Sequence, residues 1–188
     1  DMVLQSDIDK IWLTLEEIDR ESFDKAADAI VAARRIYIVG LRSSASIATF
    51  LGFYFNLIFD NVVMISANTV SEVLESLLRV GEGDVVIGIS FPRYSSRAVQ
   101  AMSFARDRGA TTIAITDSEV SPLASIAQYT LKARSDMASF VDSLVAPLSL
   151  VNALLVAVSR KKNEDLSKTF ETLEKIWEEY GVYEKTLE

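Results

Sequence analysis

The sequence predicts an α/β fold, with a doubly wound sheet of five parallel strands flanked by helices. Two observations carry this prediction. From residue 36 onward, short apolar runs rich in β-branched residues alternate with stretches of helical periodicity. Each of these stretches is long enough for a right-handed crossover between parallel strands. The 188 residues contain no compositional break at which to divide them, so we predict one domain over residues 1–188.

The chain before the sheet is predicted to form two helices within residues 1–34. Apolar residues recur at spacings of three and four from residue 8 to residue 18, and the same pattern returns from residue 23 to residue 31. Glu21 and Asp24 mark the start of the second helix, where acidic side chains interact favourably with the helix dipole. The first helix begins without a capping residue, which leads us to expect a further segment before it.

Residues 35–134 are predicted to form the sheet and its crossover helices. The five predicted strands are IYIV at 36–39, VVMI at 62–65, VVIGI at 85–89, TTIAI at 111–115 and QYTLKA at 128–133. The first four are almost unbroken apolar runs, which is typical of strands that helices cover on both faces. The predicted connecting helices lie around 44–58, 71–79, 95–108 and 121–127.

Residues 135–188 are predicted to form an apolar helix from about 139 to 159 and a polar helix from about 163 to 180. The apolar helix raises the question of a membrane span. Its length barely crosses a bilayer, however, and Asp142, Pro147 and Asn152 interrupt it, so we expect no membrane contact. A buried helix of the same chain and a helix at a dimer interface both remain open for this segment.

Composition excludes several kinds of chemistry. The chain has no cysteine and no histidine, which removes disulfides, thiol nucleophiles, Ser-His-Asp triads and HExxH zinc sites. We therefore expect no metal and no cofactor, and a cysteine-free chain is compatible with the cytoplasm. The formal net charge of −8 should repel a nucleic-acid backbone, so we do not expect this chain itself to contact DNA.

Polar loops follow the predicted strands at the sheet edge where ligands of open α/β folds bind. The candidate ligand-binding residues after the first strand are Gly40, Arg42, Ser43 and Ser44. Those after the third strand are Ser90, Arg93, Tyr94 and Ser95. A third polar loop, residues 116–122, follows the fourth strand.

Serine hydroxyls and backbone N–H groups at helix starts can hold a phosphate without a metal. Arg42 and Arg93 add guanidinium groups that can each bind two anion oxygens. The alternative is that Ser43, Ser95 and Ser121 only cap helices. Two further arginines, at 97 and 106, are interpreted as solvated helix-face charges, and Tyr94 either stacks on a ligand or packs within the protein.

Two segments carry a resemblance to a known family. IYIVGLRSSAS at 36–46 and GDVVIGISFPRYSSRAVQAMSFARDRGATTIAITDSEVSPLASIA at 83–127 resemble the SIS (sugar isomerase) domain, and specifically the effector-binding half of RpiR-family transcriptional regulators. The similarity covers roughly residues 5 to 160. It implies a flavodoxin-like strand order and a phosphosugar held by a Gly-x-Gly-x-Ser loop and a Ser-x-Ser-Gly-x-Thr/Ser loop.

The two ligand loops match that pattern only in part. Gly40 and Ser44 match the first loop, and Ser90 and Ser95 match the ends of the second. Arg42 stands where the family has its second glycine, while Pro92 and Arg93 stand where the family has serine and glycine. The resulting SFPRYS resembles a recurrent variant among the regulators. It removes a hydroxyl and adds cations, so the phosphate pose of the family is in doubt here.

The resemblance implies a sensor of a phosphorylated or acidic sugar that forms a homodimer or higher oligomer. A helix-turn-helix domain, expected before residue 1, would then make the DNA contacts. Two other functions remain open. A phosphosugar isomerase would need a general base near pH 7, for which Glu72, Glu75 and Glu119 are the candidates. A third possibility is an interaction module whose pocket the arginines close.

Overall fold

The computed structural model describes residues 1–66, 68–137, 140–162 and 166–183. Its five parallel strands are β1 (Ile36–Gly40), β2 (Val62–Ile65), β3 (Val85–Ile89), β4 (Thr111–Thr116) and β5 (Tyr129–Lys132). They follow the order β2-β1-β3-β4-β5. The prediction of a doubly wound parallel sheet with flavodoxin-like order is confirmed.

Helices cover both faces of this sheet. They are α1 (Met2–Glu17), α2 (Arg20–Ala32), α3 (Ser44–Ile58), α4 (Val70–Ser76), α5 (Ser96–Asp107), α6 (Val145–Lys162) and α7 (Leu166–Glu179). One core lies between the sheet and α2, α3 and α6, where Ile38 and Phe55 are fully buried. The other lies against α4 and α5, around Val39 and Met102. No helix in the described part of the chain is long and apolar enough to cross a bilayer.

The strands differ in how well they are covered. Every residue of β1 and β3 is buried, as their unbroken apolar runs predict. The prediction of cover on both faces is wrong for β2, where Met64 is exposed and the two valines are half-buried. The reason is position, because β2 forms an edge of the sheet and has a neighbouring strand on one side only.

Two predicted helical segments differ from the structure. Residues 121–127 form successive turns and no α-helix, with the Ser121 hydroxyl accepting from the Ala124 N–H at 3.1 Å. The apolar C-terminal helix begins at Val145, since residues 140–144 are irregular and Ser143 donates to Asp7 of α1 at 2.7 Å. The predicted starts at 139 and 163 lie outside the described residues.

The GDVV motif before β3 has a structural role. Asp84 is completely buried and accepts hydrogen bonds from Nε and Nη2 of Arg34 at 2.9 and 2.8 Å. It also accepts from the Gly81 N–H at 3.0 Å. These bonds join the start of β3 to the residues that precede β1. The motif therefore fixes β1 and β3 at their amino-terminal ends, opposite the ligand loops.

Candidate functional site

The loops after β1 and β3 meet at a cavity of about 350 Å³. These strands are neighbours at the point where the strand order reverses, which is where open α/β sheets bind ligands. The cavity, which we call the central cavity, is lined by Leu41, Arg42, Ser43, Ser44, Ser90, Phe91, Pro92, Arg93, Ser95 and Asp142. The structure therefore brings six of the eight predicted ligand-binding residues together, all except Gly40 and Tyr94.

Both arginines of the central cavity have a left-handed backbone. The φ angle is 57° at Arg42 and 61° at Arg93, and these are the positive values among the non-glycine residues described. Such values favour glycine, because a Cβ crowds the neighbouring carbonyl oxygen. Neither guanidinium has a hydrogen-bond or ion-pair partner among the described residues. Two exposed cations thus lie at one cavity with their donors available for an anion.

The serines of the site divide into three roles. Ser44 and Ser90 are almost fully buried, and the Ser90 Oγ accepts from the Ser95 N–H at 3.0 Å, which closes the loop after β3. Ser95 caps α5 by accepting from the Ala98 N–H at 3.4 Å. Ser43 occupies the N-cap position of α3 but makes no side-chain capping bond. Capping therefore explains Ser95 and not Ser43. In the first turn of α3 the Ala45 N–H donates to the Arg42 carbonyl oxygen at 3.1 Å, and the Ser43 hydroxyl is available for an anion.

Gly40 supports the site from outside the central cavity. A Cβ at this position would lie 2.7 Å from both the Ala48 Cβ and the Ser44 carbonyl oxygen. Only glycine allows α3 to start so close to the end of β1. Gly40 thereby places Ser44 at the central cavity without lining it.

Tyr94 points to another loop. Its hydroxyl donates to Oδ1 of Asp117, after β4, at 2.7 Å. Burial and the Asp117 carboxylate raise the pKa of Tyr94. Tyr94 therefore joins the loops after β3 and β4, and the packing interpretation fits better than ligand stacking.

The sequence did not point to two polar residues beside these loops. Asp142 lines the central cavity from the segment before α6, where a helix was predicted. Arg97 was interpreted as a solvated charge, but it is half-buried and donates to the carbonyl oxygen of Asn68 in the loop after β2. It lines a second cavity of about 350 Å³ together with Gly40, Leu41, Arg42, Ala45, Ala48, Thr49, Met64, Ile65, Ser66 and Asn68.

Comparison with known proteins agrees with this fold. The SIS domain model matches residues 29–157. A protein of Caldanaerobacter subterraneus, named as an uncharacterized HTH-type transcriptional regulator, is 29% identical over 167 residues, which cover 87% of this chain and 58% of that protein. This chain spans between 51% and 62% of the length of the curated relatives it matches.

Two solved structures are similar over most of the chain. The sugar isomerase domain of an RpiR transcription factor from Sphaerobacter thermophilus is 30% identical, with a TM-score of 0.87 over 93% of this chain and 97% of that one. The Vibrio vulnificus NanR protein, in complex with ManNAc-6P, is 20% identical, with a TM-score of 0.81 over 94% of this chain and 67% of that one. At that identity the second likeness concerns the fold alone. The extent of the family match and the similarity to the RpiR domain show that this chain belongs to the SIS domain family.

Proposed function

We propose that this chain is the effector-sensing and dimerisation domain of a transcriptional regulator, and that it binds a phosphorylated or acidic sugar in the central cavity. The observation that carries the proposal is the pair of guanidinium groups, Arg42 and Arg93, without partners among the described residues. A chain of net charge −8 has many carboxylates that could pair with them. Their freedom beside the open start of α3 fits a site for an external anion.

The relatives support a regulatory use of such a site. Proteins named as HTH-type regulators match this chain, and NanR of the same fold is complexed with a phosphosugar. The whole protein would contact DNA through a helix-turn-helix domain outside this chain. Effector binding would then change the population of dimer arrangements and with it the spacing of the DNA-binding domains.

The size of the cavity bears on the interaction-module alternative. Arginines that closed the pocket would leave little room between the two loops. The central cavity nevertheless has a volume of about 350 Å³. Sites for small molecules begin near this size, at about 300 Å³, so a monosaccharide derivative fits better than a closed pocket.

The candidate bases of the isomerase alternative have other roles. Backbone N–H groups of Asn68 and Thr69 donate to Glu72 and lower the pKa of its carboxyl. Glu119 pairs with Lys132 at 3.1 Å, and Glu75 is exposed on α4. A general base for neutral pH needs a raised pKa and a place at the cavity. The lowered pKa of Glu72 argues against it, and none of the three lines the central cavity.

A thermal-shift and calorimetry panel tests the proposal. The probes are inorganic phosphate, hexose and pentose phosphates, and acidic sugars. A ligand at a hundred times its Kd stabilises the folded state by about 2.7 kcal/mol, which is a rise in Tm of about 5–10 °C for a chain of this size. We expect such a rise for at least one probe, and R42A should weaken its binding about tenfold or more.

R106A is the matched control, because Arg106 is an exposed cation on α5 that pairs with Asp107 at 3.0 Å and does not line the central cavity. It should leave binding unchanged. No response of the folded wild-type protein to any probe would contradict the sensor. Turnover of a hexose or pentose phosphate that E72Q abolishes would establish the isomerase instead.

A further inference from the structure

The wall of the central cavity contains one carboxylate, Asp142. It comes from the irregular segment before α6, and the two ligand loops of the family pattern do not include it. Its side chain is half-buried, and no ion pair joins it to Arg42 or Arg93, both of which are described. Among the described residues of the cavity wall, Asp142 is thus a hydrogen-bond acceptor that forms no ion pair with either arginine.

The segment that carries Asp142 is anchored to α1. The adjacent Ser143 donates to Oδ1 of Asp7 at 2.7 Å, and this bond lowers the pKa of Asp7. Just after β5, the backbone N–H of Arg134 also donates to α1, to the Thr14 hydroxyl at 3.0 Å. The bond from Ser143, the neighbour of Asp142 in the chain, gives Asp142 a defined place at the cavity.

A carboxylate at an anion site has two physical effects. It repels a bound anion, which lowers the affinity for small anions that carry no proton, such as sulfate. It also accepts hydrogen bonds strongly from hydroxyl and ammonium groups, because a bond to a charged acceptor is stronger than one between neutral groups. A ligand gains from the second effect only if it carries a donor beyond its anionic group. The volume of about 350 Å³ leaves space for such a part.

We propose that Asp142 is a specificity-determining residue of this site, which selects anionic sugars through their hydroxyl or ammonium donors and discriminates against small anions that carry no donor, such as sulfate. This inference rests on the proposed anion site at Arg42 and Arg93. It adds that the ligand must carry a hydrogen-bond donor that reaches Asp142.

Calorimetric titration of D142N tests the inference with three probes at one pH and ionic strength: sulfate, glucose 6-phosphate and glucosamine 6-phosphate. Asparagine keeps the size and one oxygen acceptor but removes the charge. Sulfate, which carries no hydrogen-bond donor, should bind about threefold to tenfold more tightly, because the repulsion is gone. Glucosamine 6-phosphate should bind about tenfold more weakly, since its ammonium loses a charged partner, and glucose 6-phosphate should lose less.

D136N is the matched control, since Asp136 is an exposed carboxylate after β5 that does not line the cavity. It should change none of the three affinities. D142A removes both acceptor oxygens and should weaken the binding of both sugar phosphates, while sulfate should still bind more tightly. Circular dichroism and urea unfolding of each variant confirm that it is folded.

The results separate this inference from the function on which it rests. If wild-type protein binds sulfate and the sugar phosphates but D142N changes all affinities by the same factor, or none, the anion site stands and the role of Asp142 is overturned. If the wild-type protein binds no probe, both are overturned. Opposite changes for sulfate and the sugar phosphates support the inference.

Discussion

Arg42 and Arg93 have backbone conformations in which glycine is normally favoured, with φ angles of 57° and 61°. A left-handed conformation costs a residue with a Cβ about 1–2 kcal/mol. The SIS loops that this chain resembles have glycine at both positions. This chain keeps the left-handed turns and adds a guanidinium at each, so the loops give up some stability for charge at the cavity.

Replacing Arg93 by glycine should therefore stabilise the fold and weaken anion binding. Glycine relieves the left-handed strain, although its freedom in the unfolded chain offsets about 0.4–1 kcal/mol of that gain. We expect a net rise of about 0.5–1 kcal/mol in the free energy of unfolding, measured by urea denaturation. The affinity for inorganic phosphate should fall about tenfold, because one charged donor is lost.

The matched variant is R93A, which removes the same charge but retains a Cβ. It should lose the same affinity without the gain in stability. Equal stabilities for R93G and R93A would show that the turn stores no strain. Unchanged phosphate affinity in both would remove Arg93 from the site.

For individual residues, the sequence predicted which residue types lie together at the site. It did not predict the roles of some of them. Ser44, Ser90 and the two arginines follow strands at one sheet edge, which follows from the parallel sheet alone. The sequence left the role of Tyr94 open, because its hydrogen-bond partner Asp117 lies in another loop. Asp142 was missed because no local pattern relates the segment before α6 to the loops after β1 and β3.

The elements around the site show where periodicity succeeds and where it fails. All five strands lie within one residue of their predicted bounds, because short apolar runs rich in β-branched residues are typical of strands in a parallel sheet. Residues 121–127 are too few for periodicity to separate a helix from successive turns. Residues 140–144 are apolar enough for a helix, but the bond from Ser143 to Asp7 holds them outside it.

The start of α4 gives a pH-dependent prediction. Glu72 and Thr69 form a capping box, in which the Glu72 carboxylate accepts from the N–H groups of Asn68 at 2.8 Å and Thr69 at 3.1 Å. These bonds favour the charged form and lower the Glu72 pKa below its usual 4.5. The stabilisation is therefore fully present above the unfolded pKa, and it is lost as pH falls through the lower folded value.

Amide NMR shifts of Asn68 and Thr69 should follow this titration, with a midpoint below 4.5. E72Q retains a side chain that can complete the capping box but does not ionise, so the same amides should show no such step. A midpoint near pH 7 would instead give Glu72 the pKa of a general base, and it would reopen the isomerase function.

The molecule as a whole exposes a broad apolar face on its helical layer. α6 lies between α1 and α3 and contacts both. Its inner side, which includes Leu150 and Leu154, is buried in the core. Of the two interpretations left open by the sequence, a buried helix of the same chain is therefore correct for that side. Its outer side exposes Val156, which lines a surface cavity with Tyr54 of α3. The same helix lines another surface cavity with Ile11 of α1. Contiguous apolar surface of this kind marks a protein interface.

We expect this face to form the dimer and V156D to break it. Val156 is 51% exposed, so an aspartate there is solvated in the monomer and costs the fold little. In a dimer it would bury an unpaired charge. This cost should weaken dimerisation so far that the variant sediments as a monomer. Sedimentation equilibrium of wild type and V156D at matched concentrations measures the change.

V120D provides the control, because Val120 is 91% exposed in the loop after β4 and lies far along the chain from α6. It should sediment like the wild type. A wild-type monomer at concentrations of about 100 µM, where even a weak dimer of micromolar Kd would assemble, would contradict the assignment of this face. The loops after β1 and β3 supply both arginines of the central cavity, and we expect V156D to bind the anion probes as a monomer. A variant that loses dimerisation and binding together would instead show that the second subunit completes the site, and the sensor would then respond to assembly as well as to its ligand.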